Sequence, residues 1–344
     1  MIRRKFIKES SKYTIASLGL FNLGFAKRKE LEDLVIGHNS HRYKIDMSWG
    51  ALDSTVHPVN DCHEMVQDSK GRIVLLTNHT KNNVIIYDKK GNLVEVWGTE
   101  FPGAHGLSLH VENGKDYLYI TDTKRHAVIK TTIDGKVVQV YPCPLDSTEY
   151  QNAEEYQPTE TAIADNGDIY VADGYGKQHI LHYNASGDLL HVFGGRGNEN
   201  NQFNNAHGIC IDSRNGTESL LITARMQNKL KRFSLEGEHL SNIDLPGAYI
   251  CRPVIHGEHV YMATIWSGKG EDNSGFISIL DNTNKLVSAP CGSKPKYKDG
   301  KLTNMYQTLK VFQHPHDVCV DDEENLYVAQ WNSGMSYPIK LYRV

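Results

Sequence analysis

One pattern returns along this chain at intervals of roughly 40 residues, and it constrains the fold more than any other feature. Its clearest copy runs from Pro158 to Gly194, PTETAIADNGDIYVADGYGKQHILHYNASGDLLHVFG. An apolar run, a D-N-G-D turn, the strand-like IYVAD, a polar turn, HILHY, an S-G-D turn and LLHVFG follow one another. Such alternation of β-forming runs with Gly/Asn/Asp turns predicts four short antiparallel strands. The template recurs over Cys62–Gly98, Ala104–Pro142 and Ala206–Asp244, more loosely over Cys251–Pro290, and once more from Pro315. A four-stranded unit repeated at that period is a propeller blade. The last copy ends one strand short, while an unassigned strand-like segment, YKIDMSWG, lies upstream at Tyr43 to Gly50. If that segment fills the vacant outer place, the ring closes and no long sheet edge is left exposed. The expected fold is therefore an all-β, six-bladed β-propeller over residues 43–344, its ring closed by an N-terminal strand completing the last blade.

The first residues are set apart from this argument. Arg3 and Arg4 precede Lys5-Phe6-Ile7-Lys8 and a mildly apolar stretch from Tyr13 to Ala26. A paired arginine before a weak apolar region predicts a twin-arginine export signal over residues 1–26, with residues 27–42 as a linker. That apolar run falls short of the roughly 20 residues a membrane helix needs, so no stable membrane span is expected. Export would place the protein in the periplasm or outside the cell. The whole chain carries 37 basic and 41 acidic residues; residues 27–344 retain 32 and 40, a net charge of −8. Phosphate backbones attract basic surfaces, so nucleic acid is not an expected partner. The expected state is a monomer acting on a small-molecule, peptide or saccharide substrate. Six cysteines occur with no CxxC spacing, and most read as buried thiols.

Aligned on their turns, the copies share a position at the start of the first strand. It holds His63, His105, Glu160, His207, Arg252 and His316 in turn. First strands line a propeller's central channel, so these side chains should converge. His105, His207 and His316 come from alternate blades, about 120° apart in a six-bladed ring. Three imidazoles with a fourth position open make a catalytic type of zinc site, and imidazole equally suits other transition metals.

Several motifs give these positions a context: HGLSL from His105, DGYGKQHILHYNASGDLLHVFG from Asp173, NQFNNAHGICID from Asn201 and HPHDVCVD from His314. Together, over about residues 60–344, they resemble peptidyl-α-hydroxyglycine α-amidating lyases, propellers of the NHL-repeat type that cleave carbinolamides to an amide and glyoxylate. The resemblance implies zinc on His105, His207 and His316. It implies a structural calcium on Asp317 with backbone oxygens of Met65 and Leu107, and catalytic roles for Tyr175 and Arg225. The sequence departs from that family in two places. A second catalytic arginine expected at the blade-1 turn is replaced in Thr77-Asn78-His79-Thr80, and the half-cystine after the catalytic tyrosine is Gly176. Losing a guanidinium that grips a carboxylate in two places changes what the site can hold. His63, Asn78, His79, Glu160 and Arg252 are then the candidate substrate-binding residues.

The expected activity is that of an exported metal-dependent lyase, in which the metal acts as a Lewis acid and Tyr175 moves a proton. No G-x-S-x-G elbow or Cys/His nucleophile motif is visible, which argues against acyl-enzyme chemistry. Two alternatives stay open: a metal-dependent lyase or hydrolase acting on a carbohydrate, uronic acid or lactone, and a non-catalytic NHL propeller binding a protein or glycan. The export signal is testable alone. Replacing Arg3 and Arg4 by lysine should leave precursor in the cytoplasm, because the pair is a receptor-read address. Undiminished export of the double variant, followed by cell fractionation, would refute it.

Overall fold

The computed structural model describes residues 28–344; the expected signal over residues 1–26 lies outside the described residues. Six sheets radiate from a central axis, and their strands fall where the repeat predicts. The first blade is Cys62–Gln67, Ile73–Thr77, Val84–Tyr87 and Leu93–Trp97, and blades two to five repeat this order. Their first strands are Ala104–Glu112, Glu160–Ile163, Ala206–Asp212 and Ala248–His256. The sixth begins with Pro315–Val320, Leu326–Gln330 and Ile339–Arg343.

The ring closes as expected. His41–Asp46 pairs with Ile339–Arg343, with Tyr43 opposite Arg343 and Asp46 opposite Lys340. The segment expected as a linker is more ordered than that reading allowed. A helical turn spans residues 28–32, and Val35–His38 adds a fifth, outermost strand to blade six. The boundary therefore moves outward, because Asn39 and Ser40 form a two-residue reversal, with Asn39 at positive φ, that folds Val35–His38 back on its successor. Trp49, beyond the closing strand, packs between Tyr87 of blade one and Tyr327 of blade six, and its indole N–H donates to the Lys89 carbonyl at 3.1 Å.

The core lies between the blades. Leu76, Val84 and Ile86 of blade one pack on Leu107, Ile120 and Ile129 of blade two, and similar clusters fill the other junctions. Inner strands are covered on both faces and are continuously apolar, such as Ile73–Thr77 and Val84–Tyr87, every residue of which is buried. Outer strands alternate or face water, as Leu93 and Val94 do. Deleting residues 28–46 should strip the closing strand, leave Ile339–Arg343 as an unpaired apolar edge and convert monomer to aggregate. Size-exclusion chromatography reads the outcome; a monomer with an unchanged melting temperature would contradict the closure.

Candidate metal centre

The histidines are aimed by local irregularities in the first strands. Pairing slips between Cys62 and Glu64, Ala104 and Leu107, Ala206 and Ile209, and Pro315 and Asp317. Each slip is a β-bulge that turns out of register the residue it contains: His63, His105, His207 and His316. The glycines after two of them have a steric reason. A Cβ on Gly106 would collide with the Thr159 carbonyl of the next blade, and one on Gly208 with the Cys251 carbonyl. The recurring His-Gly pair thus records close approach of neighbouring blades.

All four imidazoles are buried. Ring centres of His105 and His316 stand 4.9 Å apart, and each lies 4.8 Å from both His63 and His207. Backbone carbonyls set two tautomers: His105 Nδ1 donates to Thr159 at 2.9 Å and His316 Nδ1 to His63 at 3.0 Å. Both Nε2 lone pairs therefore face the cluster, an orientation typical of metal-ligating histidine. Burial holds all four pKa values below the ordinary histidine range, and the Arg225 charge pushes in the same direction; His63 falls to about 3. The rings are neutral near pH 7 and need shed no proton to bind a metal.

His63 Nδ1, His207 Nδ1 and His316 Nε2 are buried without a hydrogen-bond partner. Orphaned buried polar atoms cost about 1–3 kcal/mol each, so three in one cluster call for a shared partner. An imidazole-binding transition metal fits this donor set. Two groups bring ligand atoms within 4.8 Å of one another: His63, His105 and His316, and His207, Cys251 and His316. His63 was expected to bind substrate but stands among the candidate ligands. Cys251, which the sequence reading did not single out, stands beside them.

Tyr175 is 41% exposed at the channel mouth, yet its hydroxyl points inward, 3.0 Å from His105 Nε2 and 3.1 Å from His207 Nε2. Desolvation raises its pKa, and Arg225 only partly opposes this. Arg225 is buried, not a surface cation. It donates to Cys251 Sγ at 3.1 Å and lies 5.8 Å over the Trp266 ring. Cys251 is pushed up to about 11 by burial, Arg225 again opposing. Asn78 lines the mouth, its Nδ2 3.5 Å from His63 Nε2. His79 is not brought there; its Nδ1 accepts from the Lys81 amide in the turn. The mouth pocket encloses about 300 Å³, and its lining contains Lys124, Thr123 and Trp331 but no carboxylate.

Beneath the histidines the structure corrects two expectations. Arg252 and Glu160 do not face substrate. Arg252 is one residue beyond the position equivalent to the histidines, which Cys251 occupies, so its side chain enters the next layer of the channel. There its guanidinium donates to Asp317 Oδ1 and Oδ2 at 3.1 and 2.8 Å, Leu107 O at 2.7 Å and Met65 O at 3.1 Å. Glu64 lies 3.1 Å and Glu160 3.6 Å from the same guanidinium. The oxygens expected to hold calcium hold this internal cation instead, so the calcium expectation is replaced. Glu64, missed in the sequence, is the residue immediately after His63.

A family model described as a 6-bladed beta-propeller matches residues 156–310. A probable peptidyl-alpha-hydroxyglycine alpha-amidating lyase of Caenorhabditis elegans is 30% identical over 175 residues, 50% of this chain and 46% of that protein. Human NHL repeat-containing protein 3 is 23% identical over 180 residues, 50% of this chain and 51% of that one. The chain thus spans about half the length of these curated relatives. A solved streptogramin B lyase superimposes with a TM-score of 0.55 at 16% identity, covering 83% of this chain and 94% of that one, which shows the shared fold. Among the described residues no helix is long and apolar enough to cross a membrane.

The ion cluster generates a test. Arg252→Met should cost about 3–5 kcal/mol, because it leaves buried carboxylates unpaired. Calcium chelation should leave the wild-type melting temperature unchanged, whereas millimolar calcium should restore part of the variant's loss. Calcium-dependent melting of the wild type would reverse this assignment.

Proposed function

We propose that the channel mouth is the active site of an exported, metal-dependent lyase acting on a small substrate that carries an anionic group, in the manner of carbinolamide cleavage. The observation carrying this reading is the placement of the Tyr175 hydroxyl within 3.1 Å of two buried imidazole nitrogens, His105 Nε2 and His207 Nε2, in a cluster where three other ring nitrogens lack partners. The match to a probable amidating lyase supports it. His105, His316 and their neighbours would hold the ion, which when bound supplies Lewis acidity at a substrate oxygen and positive charge beside Tyr175.

The chain's own residues do the rest. Tyr175, as phenolate, accepts the proton of the substrate's hydroxyl; the carbon–oxygen double bond forms as the carbon–nitrogen bond breaks. The same proton then passes from Tyr175 to the departing amide nitrogen, so atoms and charge balance. Burial works against that phenolate and Arg225 works for it. A carboxylate is accommodated by Lys124, the cation among the mouth's lining residues, in a pocket without competing acid. Lysine offers a point charge where a second arginine would offer a fork, so the pocket selects its anion less strictly.

The second reading is a non-catalytic propeller that binds a protein or glycan and in which the histidines are structural. Tyr175→Phe distinguishes the two, because it removes only the hydroxyl. Turnover, followed as glyoxylate released from α-hydroxyglycine peptides alongside a uronate screen, should fall by about 10²–10⁴-fold with metal content and melting temperature unchanged. Asn78→Arg should raise activity on hydroxyglycine peptides by restoring a fork for the carboxylate. Full activity of Tyr175→Phe would refute the mechanism, and no turnover by the metal-loaded wild type would favour the binding module.

A further inference from the structure

We infer that Cys251 is a thiolate ligand of the metal centre proposed above, completing with His207 and His316 a mixed nitrogen–sulfur set. Neither the family resemblance nor the repeat pattern assigns Cys251 a role. Pairing slips between Ile250 and Pro253, so Cys251 stands in the blade-five counterpart of the bulges that aim the histidines.

Hydrogen bonds decide which lone pairs an ion can reach. His105 Nδ1 donates to the Thr159 carbonyl, so its Nε2 is an acceptor and takes the proton of the Tyr175 hydroxyl at 3.0 Å. A phenol has one proton. At 3.1 Å, His207 Nε2 must therefore donate to the phenol oxygen, and the His207 lone pair lies on Nδ1. That Nδ1 is buried without a partner. His316 Nδ1 donates to the His63 carbonyl, which leaves its lone pair on Nε2, again buried without a partner. His63 is wired the other way. The Asn78 amide faces its Nε2 at 3.5 Å, so its proton stays on Nδ1 and it has no free lone pair to offer. Ligand atoms of His207, Cys251 and His316 all lie within 4.8 Å of one another. The two unpartnered lone pairs of the cluster thus belong to the two imidazoles grouped with the thiol.

Cys251 is itself prepared for negative charge. Its side chain is buried, Arg225 Nη2 donates to Sγ at 3.1 Å, and its own proton finds only a long contact to the Pro315 carbonyl at 3.8 Å. Burial favours the protonated thiol in the free protein, but a coordinated sulfur gives its proton up outright. The guanidinium then compensates the thiolate in a site closed to water. Two imidazoles and one thiolate make three protein ligands, the number that leaves a fourth position for substrate. Sulfur also directs preference toward zinc or copper and away from hard cations. His105 Nε2 joins the set only where Tyr175 has given up its proton.

The test uses the purified full chain, stripped with chelator and reloaded anaerobically with Co²⁺ or Zn²⁺. The cobalt form should show an intense near-ultraviolet sulfur-to-cobalt charge-transfer band. X-ray absorption of the zinc form should show a sulfur shell at about 2.3 Å beside nitrogen at about 2.0–2.1 Å. Cys251→Ser should lose both signals and bind zinc about 100-fold or more weakly, since losing a residue that only orients a ligand already costs about 10–100-fold. Cys210→Ser, which alters the partly exposed thiol, should keep both signals. A shell without sulfur in the wild type, or an unchanged band in Cys251→Ser, would overturn the inference while leaving an imidazole centre standing. Failure of the wild type to take up either ion would instead sink the metal-centre reading itself. Should Cys251→Ser not fold, the wild-type spectra decide alone.

Discussion

A single guanidinium holds the centre of this ring together. Arg252 of blade five is bonded to carbonyl oxygens of blades one and two and to a carboxylate of blade six, with carboxylates of blades one and three beside it. Removing a charge from water costs several kcal/mol, and the cost is recovered only where geometry and hydrogen bonding are nearly complete. Here the fork has a partner on every side. Three carboxylates face one cation, and burial raises the pKa values of all three against the pull of Arg252; Glu64 is held well above its usual range. The upward shift of all three lessens the charge excess around the single cation. The histidine layer above is built on this floor: Asp317 adjoins His316, Glu64 adjoins His63, and Leu107 lies two residues past His105.

That floor also marks the limit of what the sequence made legible. Blade number, strand order and the closing strand could be read because turn chemistry is local and repeats six times. His105, His207 and His316 could be read because each stands in a short motif at an equivalent place. Arg252 and Glu160 could not be assigned correctly. Whether a first-strand residue faces the mouth or the layer beneath depends on where a bulge falls, and the one-residue difference between Cys251 and Arg252 leaves no mark in composition. The Cys251 thiol and the Glu64 carboxylate were missed for the same reason. A calcium ion and a guanidinium can satisfy the same oxygens, so the set Asp317, Met65 and Leu107 named a cation without naming which one.

The two layers have opposite electrostatic characters, only a residue apart along each strand. Above are neutral imidazoles, kept so by desolvation and by Arg225, with unsatisfied nitrogens and the Tyr175 hydroxyl. Below is an ionic network in which every face of the Arg252 guanidinium is engaged, although Glu160 Oε2 lacks a hydrogen-bond partner. Chemistry belongs in the first layer because its groups still have bonds to make, and rigidity belongs in the second because its guanidinium has none left.

The Arg252 network has a further effect on traffic. The channel has two mouths: the polar one holding His63, His105 and Tyr175, and an opposite, apolar one lined by Val66, Leu109, Ile163 and Val254, whose floor includes Arg252 and Met65. With the network across the bore, the histidine end is a blind well, not a tunnel. Whatever enters must back out the way it came, so a departing product and an arriving substrate contend for one doorway.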